Sequence, residues 1–228
     1  MTTAWNDRDA TLLPCRAVLF DCDGVLVDSE SIIVRSWTRW ARQIGLDPDT
    51  VLATIHGRRS RDTVAEFVAA SRRAEAHALI DAIEIQDAAA ATAIPGAAEL
   101  LHSIPADRWA IVTSGSRTLA RTRLAAAGVP IPAVLITAED VTHGKPHPQG
   151  YLAAADGLGA PPTDCVVVED AAPGIRAARA ANVHAVLGVG NRDLGDDRPA
   201  IAVPNLRSVR WTPAGLLIHS DGRGDPRP

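Results

Sequence analysis

Two aspartates, Asp21 and Asp23, stand two residues apart at the end of the apolar run RAVLFD, residues 16–21. If this run is a strand, residues i and i+2 point to the same side, so both carboxylates face one small volume. Gly24 then lets the chain turn away sharply. Two carboxylates this close repel each other unless a cation neutralises them, and hard oxygen ligands suit Mg²⁺. Taken alone, the pattern is also that of a solvated acidic turn.

Lys145 is the only lysine among the 23 lysine and arginine residues of the chain. A lysine ammonium is a compact point charge on a flexible stem, whereas an arginine guanidinium is a planar fork. A point charge suits a single oxygen in a tight pocket. The sequence around Lys145 therefore indicates either a site that needs this shape of charge or an ordinary solvated surface lysine.

Further polar side chains follow other apolar runs of the chain. Thr113 and Ser114 come at the end of the second run, Lys145 follows the third, and Glu169 and Asp170 end the fourth. Because the carboxyl ends of parallel strands meet at one edge of a sheet, we expect these groups to gather there. Acids, a hydroxyl and one ammonium form a set that suits metal-assisted phosphoryl transfer.

The elements that must position these residues alternate between strands and helices. Alanine-rich segments with helical patterns lie at 116–127, 148–157 and 173–181. Strands alternating with helices of about 10–12 residues predict βαβ units, a parallel sheet and therefore an α/β fold. The five short runs rich in β-branched and aromatic residues that we predict as strands are 16–21, 109–113, 133–137, 164–168 and 183–187.

The alternation stops between residues 29 and 93, where no convincing strand is found. Four helices are predicted there from the spacing of apolar residues and from helix-end signals such as Gly45. We expect a four-helix cap domain at residues 28–93, inserted in a core made of residues 1–27 and 94–228. The polar segment from about residue 220 to residue 228 is expected to be a disordered tail.

The composition excludes some classes of partner. A chain of 228 residues with 46% hydrophobic side chains can bury a sizeable core. A net charge of −4 indicates no nucleic-acid partner, and no apolar stretch approaches the ~20 residues that cross a membrane. Three scattered cysteines and a start without signal-peptide features favour a cytoplasmic location. A monomer is expected.

Four segments in order, DCDGVLVDSE, VTSGS, GKPHP and VVVEDAAPGI, resemble the four motifs of the haloacid dehalogenase-like hydrolase superfamily. The helical insert between the first two motifs resembles the small cap of that family's sugar and polyol phosphatases and β-phosphoglucomutase-like members. The resemblance covers about residues 16–190. It implies a Rossmann-like parallel sheet core with an inserted helical cap, Mg²⁺ as cofactor and a small phosphorylated metabolite as substrate.

The resemblance also implies roles for single residues. Asp21 would be the nucleophile that forms an aspartyl-phosphate. Asp23 would protonate the leaving group and then activate water. Thr113 and the backbone around Ser114 would bind the transferred phosphoryl group. Lys145 would contact a phosphoryl oxygen and the Asp21 carboxylate, in a slot too narrow for an arginine fork.

A metal site follows from the same resemblance. Mg²⁺ would be held by Asp21, by the backbone carbonyl of Asp23 and by Asp170. Glu169 would lie next to these ligands and help to hold them in place without binding the ion itself. All of these positions come from two motifs, DCDGVLVDSE and VVVEDAAPGI, at predicted strand ends.

The turn His56-Gly57-Arg58-Arg59 joins two predicted cap helices. In the sugar and polyol phosphatases of this family, a Gly-x-Arg at this turn reaches the substrate. Arg59 has that spacing, so the resemblance implies a substrate contact from Arg59. Clustered arginines are also typical of a solvated face, and Arg58 and Arg61 are neighbouring candidates.

Residue types separate this chain from other members of the family. Asp23 disfavours dehalogenation, because haloacid dehalogenases lack this second acid, and the absence of a cap lysine excludes Schiff-base phosphonate hydrolysis. Phosphoglucomutases carry a cap histidine where this chain has Ile33 and a cap arginine where it has Ser60. We therefore expect a sugar or polyol phosphatase. A phosphosugar mutase and a non-catalytic phosphometabolite-binding protein are the alternatives.

Overall fold

Residues 10–219 are described by the computed structural model. The strands of this part of the chain are β1 (Ala10–Pro14), β2 (Ala17–Phe20), β3 (Val27–Asp28), β4 (Thr92–Ala93), β5 (Trp109–Val112), β6 (Leu135–Ile136), β7 (Cys165–Glu169), β8 (Ala185–Val189), β9 (Ile201–Val203), β10 (Val209–Thr212) and β11 (Gly215–His219). Its α-helices are α1 (Glu30–Ile44), α2 (Pro48–Leu52), α3 (Ser60–Phe67), α4 (Arg73–Asp87), α5 (Ala97–Ser103), α6 (Arg117–Ala126), α7 (Gln149–Gly157) and α8 (Ala172–Ala180).

A six-stranded parallel sheet with the strand order β6-β5-β2-β7-β8-β9 lies at the centre of the molecule. β2 is an inner strand, in which Val18 pairs with Trp109 of β5 and with Val166 of β7. Five of the six strands lie within or against the runs predicted from the sequence, and β9 was not predicted. The predicted α/β fold with a parallel sheet is therefore confirmed.

Both faces of the sheet are covered by apolar side chains. Val18 and Phe20 of β2 belong to one buried cluster, whereas Ala17 and Leu19 belong to the cluster on the opposite face, with Tyr151 of α7. All four β2 side chains are buried, which explains why this strand is a continuous apolar run without polar alternation. Because β2 is held on both faces and both edges, its carboxyl end has a fixed position.

A helical segment, α1 to α4, is inserted between the short antiparallel strands β3 and β4. Its core contains Trp37 and Trp40, whose rings meet edge to face with centroids 5.1 Å apart. The indole Nε1 of Trp40 donates a hydrogen bond of 2.7 Å to the carbonyl oxygen of Ala76, which ties α1 to α4. The expected helical cap is present, and the boundaries at residues 28 and 93 stay a prediction.

A second sheet, with the antiparallel order β1-β11-β10, was not predicted from the sequence. β1 has an exposed Leu12 and ends in Pro14, so it lacks the pattern of a buried strand. Leu216 of β11 pairs with Leu13 and packs into the main apolar cluster. The predicted tail at residues 220–228 lies outside the described residues. No helix within residues 10–219 is long and apolar enough to span a membrane.

Candidate active site

Asp21 and Asp23 follow β2 and line a cavity between the sheet edge and the helical segment. Asp21 is 7% exposed, and its backbone N–H donates to the carbonyl oxygen of Val168 at 2.9 Å. Gly24 has a φ of 81°, and a Cβ at this position would lie 2.2 Å from Oδ2 of Asp170. Glycine is required here, because the turn is left-handed and the space belongs to the Asp170 carboxylate.

Lys145 is buried beside Asp21 and is not a surface charge. Its Nζ donates to Oδ1 of Asp21, to Oε1 of Glu169 at 2.6 Å and to the carbonyl oxygen of Val112 at 3.2 Å. Burial opposes the positive charge, but the carboxylates of Asp21 and Glu169 outweigh it and raise the pKa of Lys145 well above its usual value. The ammonium therefore stays charged where an anionic group has to be bound.

Glu169 is fully buried and has protein donors on both oxygens. Its Oε1 accepts from Nζ of Lys145 and from the hydroxyl of Tyr151 at 2.8 Å, and its Oε2 accepts from the backbone N–H groups of the next two residues. A Cβ on Gly174 would lie 1.6 Å from Oε1, so only glycine lets α8 approach this carboxylate. Glu169 thus holds Lys145 in place, and the support of the metal ligands that was expected of it stays a prediction.

Three carboxylates, those of Asp21, Glu169 and Asp170, offer oxygens that all lie within 4.8 Å of one another. Burial, with added repulsion from Glu169, raises the pKa of Asp170 to about 7 despite the nearby charge of Arg192. Burial also raises the pKa of Asp21 well above its usual value, and the charge of Lys145 only partly opposes this effect. This excess of negative charge on hard oxygen donors fits a divalent cation such as Mg²⁺.

Thr113 and Ser114 come directly after β5 and line the same cavity as Asp21. The hydroxyl oxygen of Thr113 accepts a hydrogen bond of 3.0 Å from the backbone N–H of Gly115. The hydroxyl of Ser114 donates to the carbonyl oxygen of Gly57, at 2.9 Å, in the turn between α2 and α3. The side chain of Ser114 therefore joins the core to the helical segment.

Asp23 has two side-chain partners that the sequence did not reveal. Its Oδ1 accepts from the hydroxyl of Ser29 at 2.6 Å and from Nη1 of Arg123 at 3.0 Å. Arg123 of α6 also donates from Nη2 to Oε1 of Glu84 on α4, at 3.1 Å. Burial raises the pKa of Glu84 to about 7 although the charge of Arg123 opposes it. A buried ion-pair network therefore connects Asp23 with the helical segment.

A signal for this network is present in the sequence but is weak. Arg123 lies on the apolar face of α6 with Leu119, and Glu84 lies on the apolar face of α4 with Ile80. Opposite charges at apolar positions of two helices suggest that they meet. Which helices pack together cannot be read from these patterns, so the pairing required the tertiary structure.

The cavity has a volume of about 70 Å³ and opens to solvent between the sheet edge and the helical segment. Its walls combine charged groups with the apolar side chains of Ile33 and Trp37. A small substrate with both hydroxyl groups and a carbon skeleton could be held here. The residues that line it from the helical segment are Glu30, Ile33, Trp37, Ile55, His56, Gly57, Arg58, Ser60 and Glu84.

Arg59 does not line this cavity, unlike the position that the family resemblance implied. Its guanidinium binds both carboxylate oxygens of Asp62, at 2.7 and 3.0 Å, and donates to the carbonyl oxygens of Val141 and Thr142, both at 3.1 Å. Asp62 is one turn further along the chain and pulls the side chain toward the loop before Lys145. Every side-chain nitrogen of Arg59 thus has a protein acceptor, and Arg58 is the arginine of this turn that lines the cavity.

The two positions that distinguish mutases, Ile33 and Ser60, both line the cavity. The hydroxyl of Ser60 lies 3.0 Å from Nε2 of His77. His56 lines the cavity as well, with Nε2 3.6 Å from a carboxylate oxygen of Glu30. Burial lowers the pKa of His56, so its ring is held in the neutral form.

Comparison with known proteins gives one family and several relatives. The model of the haloacid dehalogenase-like hydrolases matches residues 15–182. The chain is 44% identical over 180 residues to hexitol phosphatase A of Escherichia coli (strain K12), covering 75% of this chain and 82% of that protein. It is 34% identical over 217 residues to glycerol-1-phosphate phosphohydrolase 2 of Saccharomyces cerevisiae, covering 87% and 85% of the two chains.

The fold is also similar to that of solved structures. A β-phosphoglucomutase from Clostridium difficile superposes with a TM-score of 0.72 over 84% of this chain and 92% of that one, at 23% sequence identity. At this identity the likeness concerns the fold alone. A shared fold does not separate hydrolysis from phosphoryl transfer between sugars, and the residues of the cavity have to do so.

Proposed function

This chain belongs to the haloacid dehalogenase-like hydrolase family and is a phosphoric monoester hydrolase, and we propose that it removes phosphate from a small phosphorylated sugar or polyol through an aspartyl-phosphate. One observation carries the proposal. Separate strand ends bring Asp21, Thr113 and Asp170 to one cavity, with Lys145 bonded to Asp21. The relatives named as hexitol and glycerol-1-phosphate phosphatases support the substrate class.

In the first half of the reaction, a carboxylate oxygen of Asp21 attacks the phosphorus atom and the bond from phosphorus to the leaving oxygen breaks. Asp23 gives its proton to that oxygen, so a neutral alcohol departs. Lys145 and Thr113 contact the phosphoryl oxygens and stabilise the charge on them. The product on the enzyme is an acyl phosphate of Asp21.

In the second half, water attacks the phosphorus atom and the bond from phosphorus to Asp21 breaks. Asp23, now deprotonated, takes a proton from the water. Inorganic phosphate leaves, and the Asp21 carboxylate and the protonated Asp23 are restored. The same carboxyl group therefore serves as acid and as base, which requires that its orientation is maintained through both steps.

Mg²⁺ would be held by Asp21, Asp170 and the backbone carbonyl of Asp23. When bound, it supplies positive charge that reduces the repulsion between the acids and the phosphate. Glu169 contributes indirectly, because it holds Lys145 and has its oxygens occupied by protein donors. The oxygens of Asp21, Glu169 and Asp170, which all lie within 4.8 Å of one another, support this assignment.

Hydrolysis is favoured over a mutase reaction by the residues of the helical segment. A mutase has to withhold water and deliver a sugar hydroxyl to the phosphoryl group, with a group that takes the hydroxyl proton. Ile33 lines the cavity at the position where phosphoglucomutases carry a histidine, and its side chain cannot exchange a proton. We therefore propose net release of inorganic phosphate.

The test is a panel of phosphorylated hexitols, glycerol phosphates, sugar phosphates and nucleotides, with released phosphate measured in the presence of Mg²⁺. We expect the highest kcat/KM with a polyol or sugar phosphate. β-Glucose 1-phosphate with a trace of the bisphosphate is the discriminating assay. Rapid formation of glucose 6-phosphate without inorganic phosphate would replace this proposal with a mutase, and no turnover of any compound would favour a binding protein.

A further inference from the structure

Of the arginines that line the cavity, Arg123 is the most buried, with 2% of its surface exposed. It belongs to α6 of the core, yet its two terminal nitrogens bind Asp23 and Glu84 of α4. Burial disfavours its charge, but the two carboxylates outweigh that effect and raise the pKa of the guanidinium. Its Nε has no hydrogen-bond partner among the described residues. Arg123 is thus a fixed cation beside Asp23.

Fold stability alone does not account for this arrangement. Taking a guanidinium and a carboxylate out of water is costly, and replacing such a pair by apolar side chains of similar volume is often neutral or stabilising. α6 packs with Leu119, Ala120 and Leu124 on the same face, so an apolar side chain at position 123 would extend that face. The charge of Arg123 therefore needs an explanation in the chemistry of the cavity.

We propose that Arg123 is a positioning residue, which holds the Asp23 carboxyl group in the orientation for proton transfer and links that orientation to Glu84 of the helical segment. The inference rests on the proposed function of Asp23. Arg123 and Ser29 both donate to Oδ1, so one oxygen of the group is fixed by two donors. The other oxygen handles the proton. Glu84 in turn keeps Arg123 in place only when α4 lies against α6.

This role predicts a dependence on the leaving group. An alkoxide such as that of glycerol is a strong base and needs the proton of Asp23 as the phosphorus–oxygen bond breaks. Nitrophenolate is a weak base and departs without a proton. Attack of water on the Asp21 phosphate needs Asp23 as a base for either substrate. Loss of Arg123 therefore harms the first step only with a poor leaving group, and the second step with both.

The experiment uses glycerol 1-phosphate and p-nitrophenyl phosphate as probes. It compares the wild type with Arg123→Lys and with the double variant Arg123→Met and Glu84→Gln. The second change is included so that Glu84 is not left as a buried charge without its partner. We expect kcat/KM for glycerol 1-phosphate to fall by ~10²-fold or more, since misplacement by about 1 Å can cost this much. For p-nitrophenyl phosphate we expect kcat/KM to stay within about tenfold. With this second substrate, the kcat and the KM of the Arg123 variants should fall together, and a burst of nitrophenol should precede the slow steady-state turnover.

A double-mutant cycle shows whether Arg123 acts through Asp23. In an Asp23→Ala background, the Arg123 variants should lower activity by a further factor of about three at most, because the group they orient is absent. Arg121→Met, on the exposed face of α6, is the matched control and should keep both activities. Melting temperatures verify that each variant is folded.

The outcomes separate this inference from the proposed function. Equal losses of kcat/KM on the two probes, or full additivity with Asp23→Ala, would overturn the role of Arg123 while the phosphatase stands. A wild-type enzyme that hydrolyses neither probe nor any other compound of the panel contradicts the proposed function and the inference together. Selective loss with the poor leaving group, together with the burst, supports the positioning role.

Discussion

Lys145 shows how much depends on the shape of a single charge. Its Nζ reaches three acceptors that come from different strand ends, on Asp21, Glu169 and Val112. A tetrahedral ammonium can donate in three diverging directions, whereas a guanidinium donates within one plane. The position therefore requires a point charge at a fixed distance from Asp21, in a chain whose other basic side chains are arginine.

Lys145→Arg should lower kcat by on the order of 10²-fold or more with the best substrate of the panel. The planar fork displaces the phosphoryl group and cannot satisfy the same three acceptors. Steady-state phosphate release is the measurement, with a circular dichroism spectrum to confirm folding. Kinetics close to those of the wild type would mean that any cation suffices at this position.

Asp21→Asn should lower phosphate release by at least ~10³-fold, because an amide of nearly the same shape is not a nucleophile. Asp28→Asn makes the same chemical change at an exposed aspartate of β3 and should leave turnover within about twofold. Assays on the same phosphate ester compare the two. Substantial turnover by Asp21→Asn would rule out the aspartyl-phosphate.

At the scale of elements, the side chains of the adjacent Arg58 and Arg59, in the turn between α2 and α3, point in different directions. Arg58 lines the cavity and donates to Glu66 at 2.7 Å, whereas Arg59 is fixed by Asp62 and by the loop before Lys145. A Cβ on Gly144 would lie 2.5 Å from Nε of Arg59, so this loop is shaped around the guanidinium. Arg58 therefore faces the cavity, and Arg59 attaches the turn to the core.

Arg59→Ala should destabilise the protein by about 2 kcal/mol, because it removes the two hydrogen bonds to Asp62 and one of the two donors to the carbonyl groups of Val141 and Thr142, which Arg61 also binds. For a chain of this size, the melting temperature should fall by roughly 4 to 8 °C. The loss of activity should be similar for a polyol phosphate and for p-nitrophenyl phosphate. Thermal melts and paired kinetics test this, and a selective loss with the polyol phosphate would restore the substrate contact expected from the spacing.

Arg58→Ala should lower kcat/KM for a polyol or sugar phosphate by about tenfold and affect p-nitrophenyl phosphate much less. Only the former offers hydroxyl groups for a guanidinium to bind. The melting temperature should change little, since the pair with Glu66 is partly exposed. Equal effects on both substrates would exclude Arg58 as the group that discriminates between them.

At the scale of the whole molecule, the site lies where the core and the helical segment meet. The core supplies the acids and Lys145, and the helical segment closes the cavity through several contacts. Ser114 binds the carbonyl of Gly57, and Arg192 donates to Glu30 at 2.8 Å and to Asp170 at 3.4 Å. The acids at the sheet edge are thereby gathered where little water reaches them, so we expect a bound cation to stabilise the fold.

Mg²⁺ at about 100 times its Kd should stabilise the folded protein by about 2.7 kcal/mol, which corresponds to a rise of roughly 5 to 10 °C in Tm. Asp170→Asn should remove most of this rise and increase the Tm measured in EDTA, because it removes a buried negative charge. Asp107→Asn, at an exposed position, is the control. An Mg²⁺-induced rise that is unchanged in Asp170→Asn would place the cation elsewhere.

The sequence alone determined the α/β fold, the helical insert and the set of acids and lysine at the strand ends. These follow from short-range rules: apolar runs form strands, i and i+2 share a side, and parallel strands end at one edge. The gathering of Asp21, Thr113 and Asp170 needed no knowledge of detailed packing, because the sheet topology places their strand ends on the same side, and Lys145 reaches them from the loop that follows β6.

Only the tertiary structure decided the partners that depend on packing between distant elements. Arg123 and Glu84 are 39 residues apart and meet because α6 packs against α4. The side chain of Arg59 turned toward residues more than 80 positions away, and β1 paired with β11 from the other end of the chain. Such contacts are selected by the competition of all packing arrangements at once, so no local pattern of residues specifies them.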